Sequence, residues 1–170
     1  MRFLLSKGID VMEARLGSSM DYLRFLLRVS IRALLSFLGT AVLGSYRSRM
    51  PRAGRHIARI VATQADDCGP CVQICVNMAR AEGVPASVIQ DALYARVDRL
   101  PTDLADVHRY AQAVCSWEGD LDDARERIRR KFGDEGVVDL ALAIASARVF
   151  PVTKRALGYA ESCSLAAARV

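Results

Sequence analysis

The chain has few aromatic side chains, since phenylalanine, tyrosine and tryptophan make up only 6% of its 170 residues. Alanine and leucine carry much of the apolar content, which favours helices over sheets. No segment alternates polar and apolar residues for long, and no hairpin turn signal is present, so a β-sheet is not expected. We therefore predict an all-α fold, a single domain over residues 1–170 with about seven or eight helices.

Lysine is also scarce, and Lys7, Lys131 and Lys154 are the only three, so arginine supplies most of the positive charge. The net charge of +5 is small and is spread along the chain. A nucleic-acid-binding protein usually concentrates its basic residues on one face. We therefore expect no nucleic-acid partner.

Long uninterrupted apolar runs are missing as well. The apolar patch at the N-terminus is short and is followed at once by Asp10 and Glu13, unlike a signal peptide. The most apolar stretch, residues 29–43, contains Arg32 and is shorter than the ~20 residues that a spanning helix needs. We expect a cytoplasmic protein without a membrane span.

Residues 20–46 predict one long amphipathic helix. Apolar residues recur there at helical spacing, and Arg24, Arg28 and Arg32 lie four positions apart on another face. Such a helix can lie on a membrane surface, but its apolar side can equally face a core or a subunit contact, the interpretation that we favour. We assign residues 1–50 to an N-terminal helical arm and residues 51–170 to the core.

Helix-capping and helix-breaking residues divide the core into several predicted helices. Asp66 or Asp67 is expected to cap a helix that begins at the cysteines and ends at Gly83. A last helix is predicted to carry Leu157, Tyr159 and Cys163. Other boundaries are predicted at the following positions: starts at Pro85, at Thr102 or Asp103 and at Asp120, an end near Trp117, a break at Gly133 before Asp134, and a kink or end at Pro151.

Three of the five cysteines lie within eight residues, at Cys68, Cys71 and Cys75. The odd total argues against a secreted disulfide scaffold. The spacing places the three on one helix face, and Cys68 and Cys71 are close enough for a disulfide in the first turn. A helix N-terminus stabilises a reactive thiolate, whereas the negative charges of Asp66 and Asp67 raise a thiol pKa. The sequence leaves the balance of these effects open.

Two other interpretations of the cluster remain open. The cysteines could be small buried hydrophobic residues, although Gly-Pro between two of them at a helix start disfavours this. Three thiolates could also hold zinc or an iron–sulfur cluster, with a fourth ligand from Cys115, Cys163 or His108. The usual zinc pattern has a second CxxC, which this chain lacks. We expect redox chemistry without a metal or cofactor.

These residues resemble a known family. CGPC also occurs in thioredoxins, but the helical pattern downstream excludes that fold. A helical domain with CxxC at a helix start, a functional residue four positions after the second cysteine, and the stretch FGDEGVVDLALAIASARVFPVTKRALGYAESC resemble the carboxymuconolactone decarboxylase-like superfamily. Its alkylhydroperoxidase D branch carries the redox CxxC. The resemblance covers roughly residues 20–165.

The resemblance implies a helical subunit in a homotrimer or homohexamer, with the active site near a subunit contact. It gives Cys71 the attacking role and Cys68 the resolving role. Cys75 stands where the family has a histidine, and His56 stands where it has a glutamate. His56 is a candidate base because its unperturbed pKa lies near neutrality, while the alternative is a surface histidine. His108 is predicted to be a helix-surface residue.

The sequence thus predicts an alkylhydroperoxidase-like thiol oxidoreductase. Its candidate site residues are Cys71, Cys68, Cys75 and His56. Its expected partners are a hydroperoxide or disulfide substrate and a dithiol that reduces the oxidised pair. The alternative is a binding or metal-holding protein on the same scaffold, in which the family's proton relay has been lost.

Overall fold

A computed structural model describes residues 1–116 and 119–160, which form nine α-helices and one 3₁₀ turn without a β-strand. The all-α prediction is confirmed. The bounds of the helices are α1 Arg2–Leu16, α2 Asp21–Val29, α3 Ile31–Leu38, α4 Thr40–Ser45, α5 Arg52–Ala65, α6 Gly69–Ala81, α7 Ala86–Leu93, α8 Thr102–Ser116 and α9 Leu121–Ala156, with the 3₁₀ turn at Val97–Arg99.

The prediction of one helix over residues 20–46 is wrong, because α2, α3 and α4 share this segment. Ser30 interrupts it with an extended backbone, and its Oγ accepts a hydrogen bond from the Ala33 N–H at 3.3 Å. A serine side chain that bonds to nearby backbone competes with helix continuation and favours a cap. The apolar stripe is therefore distributed over three short helices.

Helix α5 lies at the centre of the fold. Every residue from Gly54 to Thr63 is buried, and the helix packs against α6, α7, α8 and α9. At Gly54, a Cβ atom would lie only 2.6 Å from Met50 Sδ, so glycine allows the preceding segment to pack closely here. A helix surrounded in this way must bury its polar side chains too, which concentrates polar groups in the interior.

The N-terminal helices pack against the rest of the chain. Met20, Tyr22 and Leu23 belong to a buried apolar cluster that also contacts Ile74 of α6 and Phe150 of α9. Helix α4 packs along α9, and α1 contacts α6. The N-terminal helices therefore cover one side of α6 and α9.

One buried carboxylate, that of Asp139 in α9, fixes the segment before α5. It accepts hydrogen bonds from the backbone N–H groups of Ser48 at 3.0 Å, Arg49 at 2.8 Å and Met50 at 2.7 Å. From the other side, Arg55 Nη1 donates to the Met50 carbonyl at 2.8 Å. These contacts hold the chain in position where α5 begins.

The predicted start and break of α9 are confirmed, whereas its predicted end is not. Asp120 caps its start, because its side chain accepts a hydrogen bond from the Asp123 N–H, and Gly133 interrupts it with a φ of 70°. The helix continues through Pro151 as far as Ala156. Leu157 and Tyr159 follow as non-helical residues that pack against the N-terminal helices, so the predicted last helix is wrong over this part. Its remaining member, Cys163, lies outside the described residues, as does Trp117 at the predicted end of α8.

Among the described helices, α9 is long and apolar enough to cross a membrane. Its most apolar window of 18 residues has a mean hydropathy of 1.5, and 44% of that window is buried within the fold. Core helices of globular proteins pass the same test of length and composition. The absence of a membrane span therefore stays a prediction.

Candidate functional site

The first two cysteines lie at the start of α6, as predicted. Cys68 is the N-cap residue and Pro70 occupies the first turn, where its missing N–H leaves no hydrogen bond unmade. The structure pairs Cys68 with Cys71 as a disulfide whose Cα atoms are 5.2 Å apart. Both residues are buried. The predicted proximity of the two thiols is therefore present in the fold.

The prediction that Asp66 or Asp67 caps α6 is wrong, because Cys68 is the cap residue and no side-chain cap bond forms. Asp66 ends α5 instead, and its buried carboxylate pairs with Arg148 of α9 through two contacts of 3.0 Å. With Arg148 the carboxylate makes two parallel bonds to a full positive charge, whereas a cap position offers it backbone N–H groups with only partial charges. The guanidinium also offsets the negative charge that would oppose a thiolate at α6.

Cys75 is a free thiol, buried one turn beyond Cys71. Its Sγ lies 3.9 Å from Thr63 Oγ1 on α5. Burial raises the pKa of Cys75 to about 11, although Thr63 and the positive charge of Arg59 act in the opposite direction. Near neutral pH this side chain is therefore a neutral thiol and a poor nucleophile.

The structure places His56 away from the thiols. The side chain is buried, with only 1% exposed, so the alternative of a surface histidine is wrong. Its Nε2 lies 3.2 Å from Glu82 Oε2, a short contact that is not aligned as a hydrogen bond. Along α6, Glu82 is ~16 Å from Cys71 and ~10 Å from Cys75, at the rise of an α-helix. Because α5 and α6 pair closely, the α5 residue beside Cys75 is Thr63.

Burial and neighbouring charges together set the pKa values of His56 and Glu82. Burial lowers the pKa of His56, and the Glu82 carboxylate opposes only part of that effect. Partial burial raises the pKa of Glu82, but His56 and the charges of Arg47 and Arg55 outweigh it and leave that pKa below its usual value. The pair is therefore best described as a neutral imidazole beside a carboxylate.

The remaining histidine and cysteines do not join the cluster in the described residues. His108 is buried, so the prediction of a helix-surface residue is wrong; α8 turns it toward the Ala92 backbone of α7. Cys115 is half-buried, and Cys163 lies outside the described residues. Within residues 1–116 and 119–160, no group of three or more His, Cys, Asp or Glu side chains is arranged to hold a metal ion.

A cavity of about 530 Å³ adjoins the thiols. Cys71 and Cys75 line one side, whereas the N-terminal segment and α9 supply an apolar wall that includes Leu16, Met20 and Phe150. Cys68 does not line this cavity but a second one of about 330 Å³, together with Asp66 and Arg155. The two sulfur atoms of the pair thus belong to residues on different cavities.

The larger cavity is also lined by charged residues that sequence reasoning did not identify, among them Arg59, Glu82 and Lys154. A signal for two of them was present. His56, Arg59 and Thr63 recur at i, i+3 and i+7, which makes a polar stripe on an otherwise apolar α5. Glu82 follows Cys75 by seven positions and so continues the face of the cysteines.

No family model, curated protein or solved structure matches this chain. The structure therefore describes the protein only as an all-α protein with a cysteine pair at the start of a helix, beside a partly apolar cavity. Membership of the carboxymuconolactone decarboxylase-like superfamily stays a prediction from the cysteine motif.

Proposed function

We propose that the chain is a thiol-dependent peroxidase or disulfide oxidoreductase that uses Cys71 and Cys68. The observation that carries the proposal is the cysteine pair at the N-terminus of α6, with Cys71 on the 530 Å³ cavity. The unpaired N–H groups and the dipole of the helix favour the thiolate form at this position. The Asp66–Arg148 pair reduces the opposing effect of the Asp66 carboxylate.

The proposed reaction begins with the reduced pair. The Cys71 thiolate attacks the terminal oxygen of a hydroperoxide, the O–O bond breaks, and the alkoxide leaves and takes up a proton. Cys71 is then a sulfenic acid. The Cys68 thiol condenses with it, forming the disulfide and releasing water. A dithiol partner attacks Cys68 through the second cavity, becomes a disulfide itself and returns both cysteines to thiols.

The experiment measures consumption of tert-butyl hydroperoxide by the reduced protein with dithiothreitol as the dithiol. Cys71→Ser should abolish turnover. Cys68→Ser, treated with the peroxide after dithiothreitol has been removed, should accumulate a sulfenic acid on Cys71, detected as a dimedone adduct by peptide mass spectrometry. Cys115→Ser, a half-buried thiol outside the cavity, is the matched control and should keep the activity.

Cys75 provides a separate test of the same proposal. Cys75→Ser should leave the Cys68–Cys71 disulfide intact, because the i, i+4 spacing on a helix is too wide for an unstrained bridge to Cys71. Cys75→His should raise the rate if a histidine here supplies the base that the resemblance implies. A bridge found elsewhere in the oxidised protein would contradict the assignment.

The second candidate is a binding protein on the same scaffold with a structural disulfide. It is favoured by one observation, the neutral thiol of Cys75 at the position where the family has a base. Thiols inert to both peroxide and dithiol partners would support it. A metal-holding version predicts one-to-one zinc or iron by elemental analysis, lost in Cys75→Ser, whereas our proposal predicts no stoichiometric metal.

We further propose a homo-oligomer, a trimer or hexamer by resemblance. Val29, Val42 and Val138 are exposed apolar residues on α2, α4 and α9. Exposed apolar surface of this kind is typical of subunit contacts. Light scattering at micromolar concentration tests the proposal, and a monomer would contradict it.

A further inference from the structure

Helix α1 has a second apolar face. Its first apolar face packs into the cluster of the N-terminal helices through Leu5, Ile9, Met12 and Leu16. Away from that cluster, Phe3, Leu4 and Val11 are 71%, 73% and 67% exposed. A surface helix of a globular protein usually has a single apolar stripe, which faces the core. Within the described residues, nothing covers the second apolar face of α1.

Exposed basic residues accompany these apolar side chains. Leu4, Lys7, Val11 and Arg15 follow one another at intervals of three or four positions, so they share one side of the helix. The Lys7 Nζ atom lies 5.8 Å from the centre of the Phe3 ring. In the part of the chain that the structure describes, neither Lys7 nor Arg15 forms an ion pair. We call Phe3, Leu4, Lys7, Val11 and Arg15 the outer face of α1.

The carboxylates of α1 are held on the side of α2. Arg24 of α2 pairs with Asp10 at 2.9 Å and also with Glu13. One turn further along α2, Arg28 is exposed, and residues 22–65 contain no Asp or Glu. The charge that this region presents to solvent is therefore mainly positive, and it lies beside exposed apolar side chains.

We infer that the outer face of α1 binds the surface of an anionic lipid bilayer. Phe3, Leu4 and Val11 enter the boundary between headgroups and acyl chains, and Lys7 and Arg15 contact the lipid phosphates. The inference goes beyond the proposed function and does not depend on it, because it uses none of the cysteines.

Two other partners fit this face less well. A second copy docked through the same face would bring like charges together, since a two-fold contact pairs a surface with itself. The subunit contact proposed above uses residues of α2, α4 and α9 instead. Nucleic acid would match the positive charge, but interfaces with nucleic acid are highly polar and would leave the apolar side chains without a partner.

The test is sedimentation of the full-length protein with large vesicles. One set contains phosphatidylcholine alone, and the other contains about one-third phosphatidylglycerol, which makes the surface anionic. We expect at least about tenfold tighter binding to the anionic vesicles, since each basic residue near such a surface contributes about fivefold. In about 1 M NaCl, where the Debye length falls to ~3 Å, most of that preference should disappear.

Single variants locate the binding surface. Lys7→Gln should weaken binding to anionic vesicles by about fivefold, and Phe3→Ser should weaken it by about tenfold. Both side chains are exposed, so circular dichroism should show intact helices. The matched controls are Arg130→Gln on α9 and Tyr94→Ser at the end of α7, which replace an exposed basic and an exposed aromatic residue elsewhere. Neither control should change binding.

Three results would overturn the inference. The first is no binding to anionic vesicles, and the second is equal binding to neutral and anionic vesicles. The third is unchanged binding in both Phe3→Ser and Lys7→Gln. If vesicles are not bound, retention of the protein on duplex DNA would assign the outer face to nucleic acid instead. A smaller mass of Phe3→Ser in light scattering would then assign it to a contact between copies of the chain.

Discussion

Replacing Asp139 with alanine should destabilise the protein more than any surface change in the same helix. The side chain is only 1% exposed and is the acceptor for three consecutive backbone N–H groups, those of residues 48–50. These groups directly precede α5, which carries Arg59 and Thr63 on its buried face. Asp139→Ala leaves the three donors without their charged acceptor.

The magnitude follows from these contacts. A hydrogen bond to a charged group contributes about 1.5–3 kcal/mol, so simple addition over three bonds gives roughly 5–9 kcal/mol. Water that enters the site and local relaxation reduce this sum, and single substitutions rarely exceed 4–5 kcal/mol. We therefore expect a loss of ~3–5 kcal/mol in the free energy of unfolding. Asp139→Asn keeps one acceptor oxygen and should lose less.

Urea unfolding at pH 7, followed by circular dichroism at 222 nm, measures the effect. With a slope of ~2 kcal/mol per molar urea, the midpoint should fall by about 2 M. Glu135→Ala is the matched control, because Glu135 lies one helical turn earlier and contacts Arg49 at an exposed ion pair. That pair is exposed and screened by water, so removing it should shift the midpoint little. A midpoint shift of Asp139→Ala no larger than that of Glu135→Ala would refute the reasoning.

Two further predictions concern groups that the fold buries. At pH 8, a Cys75 pKa of about 11 leaves about one thiol in a thousand ionised. Iodoacetamide should therefore alkylate Cys75 over 100-fold more slowly in the native protein than in urea, because the thiolate is the reactive form. Peptide mass spectrometry measures both rates. Equal rates would contradict the burial of this thiol. Burial lowers the pKa of His108, so the folded state binds fewer protons than the unfolded state below about pH 6.5 and stability should fall with decreasing pH. His108→Gln should flatten the dependence of the urea midpoint on pH between 7.5 and 5.5, and an unchanged slope would contradict this prediction.

Boundaries set by local chemistry were predictable from the sequence. Gly133 breaks α9 at a positive φ, which glycine adopts without a steric penalty, and Pro85 occupies the position directly before α7. The position of Cys68 and Cys71 at the start of α6 followed from Gly-Pro between them. Each of these features depends on a few adjacent residues.

Features that depend on distant partners were not predictable in this way. Asp66 pairs with Arg148, which lies 82 positions away, and His56 contacts Glu82, the residue that directly follows α6. The polar stripe of α5 is visible in the sequence, but its burial requires the surrounding helices. A single sequence shows which residues share a helix face and leaves open which helix covers that face.

The disulfide at the start of α6 has a consequence for the energetics of folding. Cys68 and Cys71 are separated by three positions, so the bridge closes a very small loop. In the chain-entropy description, such a loop restricts the unfolded chain by about 2 kcal/mol, compared with about 4.7 kcal/mol for a loop of 100 residues. Opening the bridge therefore takes away little of the constraint on the unfolded ensemble. Because the buried residues of α5 pack against four other helices without using this bridge, we expect reduction to leave the fold intact.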